Sequence, residues 1–431
     1  MGDKIAVVGG GITGMSLAYR LIKQGHDITV YDGAPSLGGL SMAADFGDFT
    51  WDRYYHVISG SDQALLDLID EIGLSDEVRW QTTRQGIFID GKVRSLVGPM
   101  DLLRLPGLSL IDKFRLGLLA LRGHRPCSDS ELDSTTSADW VRKRCGERAY
   151  QRFWRPLLRS KLGDAATTTA ARFIHATLTR LHSARGSSNK EQFGYVVGGY
   201  RRILSALEQK LLEHGAELRA NSPVSSVRAD DRGSIVETGV TSERFQRVVV
   251  TLPNTQLANV IEDLEPAEKQ RLSTTPYLGT VCTVAVGKTP LSGHYILNLT
   301  DEQLKITGII EMTAVVDKDQ TAGHTLVYLP RYAVTDSPIF QQSDEQLAES
   351  ALGDLRSVFP QADKDWLVSH TVQRARLIQP IPIAGGQSHA PPREVVPGRI
   401  YCVSNAQMPP GTLNNNDCIA HATQAAASIL G

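Results

Sequence analysis

The chain has 431 residues, 41% of them hydrophobic and 21% charged, with a formal net charge of -2. That length exceeds what one core ordinarily fills, so two intertwined domains are expected, and the near-neutral balance leaves no electrostatic footprint for nucleic acid. Five cysteines (Cys127, Cys145, Cys282, Cys402, Cys418) stand scattered without C-x-x-C spacing, which argues against a disulfide framework or a metal site. A strand begins almost at residue 1, where a leader would lie, and no apolar run reaches bilayer length; the expectation is a cytoplasmic protein.

Ile5 to Val8 is an apolar run of the kind that forms a buried parallel strand. It leads into Gly9, Gly11 and Gly14 in G-x-G-x-x-G spacing, then into a helical pattern from Met15 to Gln24. Gly9 permits the tight turn, Gly11 lets a pyrophosphate approach the backbone, and Gly14 lets the helix lie close to the strand. The helix start then turns free N–H groups and a positive dipole end toward the phosphates. A second strand, Asp27 to Tyr31, ends at Asp32, placed to accept a ribose hydroxyl. Strand, glycines, helix, strand and acid in that order specify a dinucleotide site. Gly38 and Gly39, followed by Leu40, form a second glycine pair. A plain nicotinamide site does not need it. An extended flavin dinucleotide does, because side chains there would meet its pyrophosphate and ribityl arm.

With these motifs the chain resembles the FAD-dependent superfamily of amine oxidases, protoporphyrinogen oxidases, carotenoid desaturases and UDP-galactopyranose mutases. The resemblance implies FAD as cofactor and an α/β, Rossmann-type (GR2-like) FAD-binding domain with an interleaved α+β substrate domain. The FAD-binding domain is expected over 1–78, 192–262 and 372–431, and the substrate domain over 79–191 and 263–371.

Further along, a helix is expected from Asp62 to Ile72 and short strands at Gly86 to Ile89 and Lys92 to Leu96. Met100 to Arg122 is Leu-rich and interleaved with Arg and Lys. It reads as a helix pair broken at Pro106-Gly107 and packed on the substrate domain, with a membrane-surface role as the alternative. A helical region continues to about residue 185, and 183–190 reads as a loop. The pattern returns to the first domain at Gly198-Gly199, with a helix from Arg201 to Glu213 and strands at Ala216 to Ala220 and Val224 to Arg228. In the superfamily this return places a valine backbone, here Val224, against the adenine. Val281 to Val286 and Thr325 to Leu329 suit a substrate-domain sheet. The last strand (Arg399 to Asn405), a Pro/Gly/Asn loop and a helix from Asp417 to Leu430 resemble the elements that close over the flavin. Asn405, Leu413, Asn415 and Asn416 are the candidates for cofactor contact there. Any of Asn414 to Asp417 is suited to cap the helix, whose dipole would stabilise negative charge on a reduced flavin.

The loop Trp51 to Ile58 is expected near the flavin ring, with Tyr55 and His56 as catalytic candidates. It resembles the G-P-H-I-F-H-T loop of UDP-galactopyranose mutases, but only the first histidine is matched. Amine oxidases carry a lysine on a substrate-domain strand; the comparable strand, Tyr277 to Val284, has none. Neither Cys402 nor Cys418 is placed for covalent flavin attachment. Arg155 and Lys161, set in an apolar run and expected to face inward, and Arg331, Tyr332 and Arg376 are the candidates for holding an anionic substrate. The first resemble the W-x-P-L-L-x-x-K-F-G stretch of protoporphyrinogen-oxidase-like proteins.

The resulting expectation is an FAD-dependent oxidoreductase passing hydride from a small organic substrate to flavin N5. The alternatives are a non-redox nucleotide-sugar mutase and a non-catalytic flavin-binding scaffold. No metal is expected.

Overall fold

The computed structural model describes residues 2–96, 98–184, 192–409 and 414–430. Leu413 and most of the 183–190 loop lie outside them; Ser183 and Ala184 end the helix Ala171–Ala184.

A six-stranded sheet carries the dinucleotide motif, in the order Glu217–Arg219, Asp27–Tyr31, Lys4–Val8, Arg247–Val250, Ile400–Cys402, Glu394–Val396. All its pairings are parallel except that of the last strand, which returns as an antiparallel edge. Parallel strands are covered on both faces and therefore read as continuous apolar runs; Ile5 to Val8 are all buried. The helices Ile12–Ile22, Gln63–Glu71, Tyr200–Glu213 and Asn415–Leu430 cover one face through Leu17, Leu21, Leu68, Leu207 and Ile419. A three-stranded sheet (Val224–Asp230, Gly233–Thr238, Ser242–Phe245) and the helix Asn254–Val260 cover the other, through Val227, Phe245 and Leu257.

A seven-stranded sheet forms the second layer, in the order Leu367–Pro380, Tyr277–Gly287, Thr325–Val334, Gly308–Glu311, Ile296–Leu299, Gln85–Ile89, Lys92–Ser95. Its strand Tyr277–Gly287 is buried along its whole length. The first strand, Leu367–Pro380, runs unbroken through position 372, where the sequence reading sets a domain boundary. The helices Leu110–Arg122, Ser137–Cys145, Arg155–Leu162 and Ala171–Ala184 pack together beside this sheet around Leu116, Trp140, Leu158, Leu162 and Leu278. The pair Pro99–Leu103 and Leu110–Arg122 is interrupted around Pro106-Gly107, as its sequence suggests.

Candidate active site

The glycine loop is built as its spacing demands. A Cβ on Gly14 would stand 1.8 Å from the Gly9 carbonyl oxygen, so helix and strand meet at this distance only without one. Gly11 is the N-cap of Ile12–Ile22 and offers no side-chain cap, leaving the first N–H groups of the helix free for an anion. Gly38 lies beside Gly11 in a parallel bridge, its N–H donating to the Gly10 carbonyl at 2.8 Å. A Cβ on Gly39 would come within 3.2 Å of the Gly11 Cα. Gly39 and Leu40 are exposed at this crossing. The Asp32 carboxylate accepts N–H groups from Gly10 and Ala34, each at 2.7 Å, which leaves further acceptor capacity on both oxygens for ribose hydroxyls. The returning chain is laid against it: Ser222 N–H donates to the Asp32 carbonyl at 2.8 Å, which brings Val224 to the same end of the groove.

At the other end the closing helix begins at Asn415, two residues before Asp417, because the Asn414 side chain accepts the Asp417 N–H at 2.9 Å and caps it. Asn415 Oδ1 accepts the Ser41 hydroxyl at 3.0 Å, while its buried Nδ2 has no partner. Asn416 Oδ1 accepts the Leu65 N–H at 3.1 Å, and Asn405 braces substrate-sheet groups, donating to the Ile378 carbonyl at 2.9 Å. The uncapped helix start, the glycine crossing and the orphaned Asn415 amide together fit an extended flavin dinucleotide. An open cavity of about 660 Å³ lies farther along, bounded by Asp62, His175, Arg180, Met408, Asn416 and Asp417.

Sequence reasoning singled out His56 and missed the residue that defines its surroundings. Asp52 ends the strand Thr50–Asp52 and is 1% exposed. One carboxyl oxygen accepts the Tyr200 N–H at 2.8 Å, and the Asp52 carbonyl accepts the Tyr328 hydroxyl. A Cβ on Gly199 (φ +71°) would stand 2.8 Å from that carboxyl, which explains the glycine before Tyr200. With no cation against it, burial pushes the Asp52 carboxyl up to about 8, so it holds its proton at neutral pH. His56 Nδ1 lies 4.0 Å from Asp52 Oδ2 and makes no hydrogen bond, and the ring tilts against Tyr200 at 5.0 Å between centroids. Burial lowers the imidazole to about 4, so it is neutral too.

The Tyr55 hydroxyl shares a 2.6 Å hydrogen bond with that of Tyr332, and the Tyr55 ring meets Tyr328 edge-on at 6.1 Å. Burial raises both Tyr55 and Tyr332, and pushes the neighbouring Cys282 thiol up to about 12. Asp52, His56, Tyr55, Tyr328, Tyr332 and Cys282 therefore make a wall of titratable groups that carry no formal charge, beside half-buried Arg53 of the same loop, whose buried Nε has no hydrogen-bond partner.

The basic candidates do not converge on this wall. On Arg155–Leu162, turning about 100° per residue, Arg155 and Arg159 share one sector and both bond Glu302, Arg155 at 3.3 Å through its guanidinium. The expectation that Arg155 faces inward is thus corrected: it is an exposed ion-pair member. Leu158 and Leu162 on one side and Pro156 and Ser160 on the other are buried, and the remaining sector holds Leu157 and Lys161. Lys161 is accessible to solvent yet enclosed by protein, which holds its ammonium below the usual lysine range. It makes no hydrogen bond or ion pair among the described residues. Leu157 packs in the same cluster as Tyr332, and a Cβ on Gly163 would come within 3.0 Å of the Tyr332 carbonyl oxygen. Arg331, next to Tyr332 on its strand, points to the opposite face, where it lines a small hollow with Lys305 and Leu347. Arg376 is engaged by the carbonyls of Thr335 and Phe340, at 3.2 and 3.4 Å, and lies over the Phe340 ring.

A family model described as flavin containing amine oxidoreductase matches residues 12–430. The "Putative flavin-containing monoamine oxidase AofH" of Mycobacterium tuberculosis is 26% identical over 287 residues, covering 62% of this chain and 61% of that protein. The chain thus spans less than two thirds of that relative. Coproporphyrinogen III oxidase of Mycobacterium bovis is 25% identical over 382 residues, 82% of each chain. Among solved structures, a reduced UDP-galactopyranose mutase superposes with a TM-score of 0.76 at 17% identity, covering 99% of this chain and 95% of its own, which shows a shared fold.

Proposed function

The chain belongs to the flavin containing amine oxidoreductase family, and from that premise we propose that it is an FAD-dependent oxidoreductase whose substrate is neutral or carries an anionic group. The observation that carries this reading is a wall without formal charge that has two cations making no ion pair among the described residues near it, Arg53 in the same loop and Lys161 on the helix Arg155–Leu162. FAD, when bound, supplies the hydride acceptor. Tyr55 and Tyr332 present neutral hydroxyls that orient the substrate, while the wall excludes water from the reacting bond. His56, neutral and with its buried Nδ1 4.0 Å from protonated Asp52, stands in this wall as a neutral positioning group and not as the base, because burial leaves its imidazole too weak a proton acceptor. Among the described residues of the wall an alkylammonium finds no ionised carboxylate, and Tyr277–Gly287 carries no lysine. A diphosphate needs more than one cation; with Arg155, Arg331 and Arg376 directed elsewhere, the mutase alternative would have to rest on Arg53 and Lys161 alone.

The test is anaerobic mixing of the flavin-loaded protein with carboxylate-bearing and neutral hydride donors and, separately, with alkylamines. Bleaching of the flavin colour by the first group is the expected result. Bleaching by alkylamines alone would overturn the substrate class. Conversion of a nucleotide sugar only after chemical reduction would restore the mutase, and a flavin inert to every donor would favour the scaffold.

A further inference from the structure

The helix Leu110–Arg122 has its apolar residues on the wrong side for an ordinary surface helix. Asp112, Leu116 and Leu119 form its buried face. Leu110, Ile111, Phe114 and Leu121 are exposed, at 77%, 64%, 70% and 66%. At about 100° per residue these four fall in one continuous arc with half-buried Leu118 between them, bordered by Lys113 on one side and by Arg115 and Arg122 on the other. The preceding helix and turn add Met100 and Leu103, 59% and 47% exposed, and the exposed Arg104. Neither nearby acid belongs to the arc. Asp112 closes the cap on Ser109 from the buried side, and Asp101 accepts the Gly98 N–H at 3.2 Å. Arg104 and Arg122 make no ion pair among the described residues.

We propose that this face lies in the plane of a membrane containing anionic lipid, with the apolar arc at the acyl boundary and the flanking cations among the headgroup phosphates. No helix among the described residues is long and apolar enough to cross a bilayer, so the attachment is one of lying on the surface. Charge decides against a second copy of the chain as the occupant. A two-fold interface would set Lys113, Arg115 and Arg122 near the same cations, and the arc has no acid to answer them. Anionic headgroups answer all of them at once. The seat is firm, because Leu116 and Leu119 share a core with Leu158 and Leu162 of the helix that carries Lys161.

The experiment is co-sedimentation of the flavin-loaded full chain with vesicles of equal parts phosphatidylcholine and phosphatidylglycerol, beside vesicles of phosphatidylcholine alone. The mixed vesicles should bind the protein and the neutral ones bind it more weakly. Leu110→Glu and Phe114→Glu should each weaken binding about tenfold or more, and Arg104→Gln and Arg122→Gln about fivefold each. All four side chains are exposed, and an unchanged flavin spectrum reports that each variant is folded. Wild-type protein that stays in the supernatant would overturn the proposal, as would Leu110→Glu and Phe114→Glu proteins that bind as well as wild type. A dimer that Phe114→Glu dissociates, with no vesicle binding, would assign the face to a second copy instead.

Discussion

The dinucleotide groove and the wall of neutral side chains are made in opposite ways. The groove is made of backbone: glycines that permit contact, an uncapped helix start, and one carboxylate fixed by two N–H groups. The wall is made of side chains from segments far apart, with Asp52 and Tyr55 in one loop and Cys282 and Tyr332 on two strands. A backbone device tolerates almost no substitution at its glycines but is indifferent to what surrounds it. A side-chain wall tolerates single changes and registers each as a shift in affinity, protonation or stability.

The sharpest way to break this contrast is at Gly14. Gly14→Ala places a methyl group against the Gly9 carbonyl and should cost at least about 4 kcal/mol, leaving the purified protein without visible flavin colour. A coloured, folded Gly14→Ala protein would mean that the groove yields as the wall does. Next comes Lys161→Met. It should retain flavin and raise KM for a carboxylate-bearing donor about tenfold to a hundredfold, with little change for a neutral one. Equal effects on both would remove Lys161 from substrate contact.

The third test uses protonation. Native Asp52 titrates at about 8 against an ordinary 3.8, so between those values the folded chain keeps a proton that the unfolded chain has lost, and stability falls as pH rises. His56, at about 4 against 6.5, and His421, likewise at about 4, act oppositely: below 6.5 the unfolded chain binds more protons, and stability rises with pH. The unfolded histidines are half deprotonated at 6.5 and their contributions fade by about 7.5, so from 6.5 to about 8 the Asp52 loss outweighs them and the net decline is about 1 kcal/mol. Thermal unfolding should therefore show a decline over this window that Asp52→Asn lacks; parallel profiles would mean Asp52 is ionised. The smallest effect is expected for Arg155→Ala. Its exposed pair with Glu302 should contribute within about 0.5 kcal/mol, and a steady-state assay should find turnover unchanged.

The same contrast explains what was legible in the sequence. Gly9, Gly11, Gly14, Asp32 and the Gly38-Gly39 pair act through local backbone geometry, so their spacing alone announces the groove. The Asn-rich start of the closing helix announced a cap, which the structure assigns to Asn414. Asp52 gave only a weak signal, an acid directly after a tryptophan, because its meaning depends on Tyr200 and Tyr328, brought there by tertiary packing. Arg155 and Lys161 looked alike in one apolar run. They separate once the helical turn is counted, since six residues place them in different sectors. Arg331 and Tyr332 were grouped as neighbours, although the two-residue period of a strand sends neighbours to opposite faces.

The hydrogen bond from Ser41 to Asn415 joins points separated by nearly the whole chain, and Ile12–Ile22 packs against Asn415–Leu430. The apolar face of the first helix is covered by two later segments of the chain, in part by Tyr200–Glu213 and in part by Asn415–Leu430. Domains generally fold as units as the chain emerges, but this one draws its core from segments as far apart as Ile12–Ile22 and Asn415–Leu430. Removing Asn415–Leu430 should therefore bare part of the Ile12–Ile22 face and weaken retention of FAD.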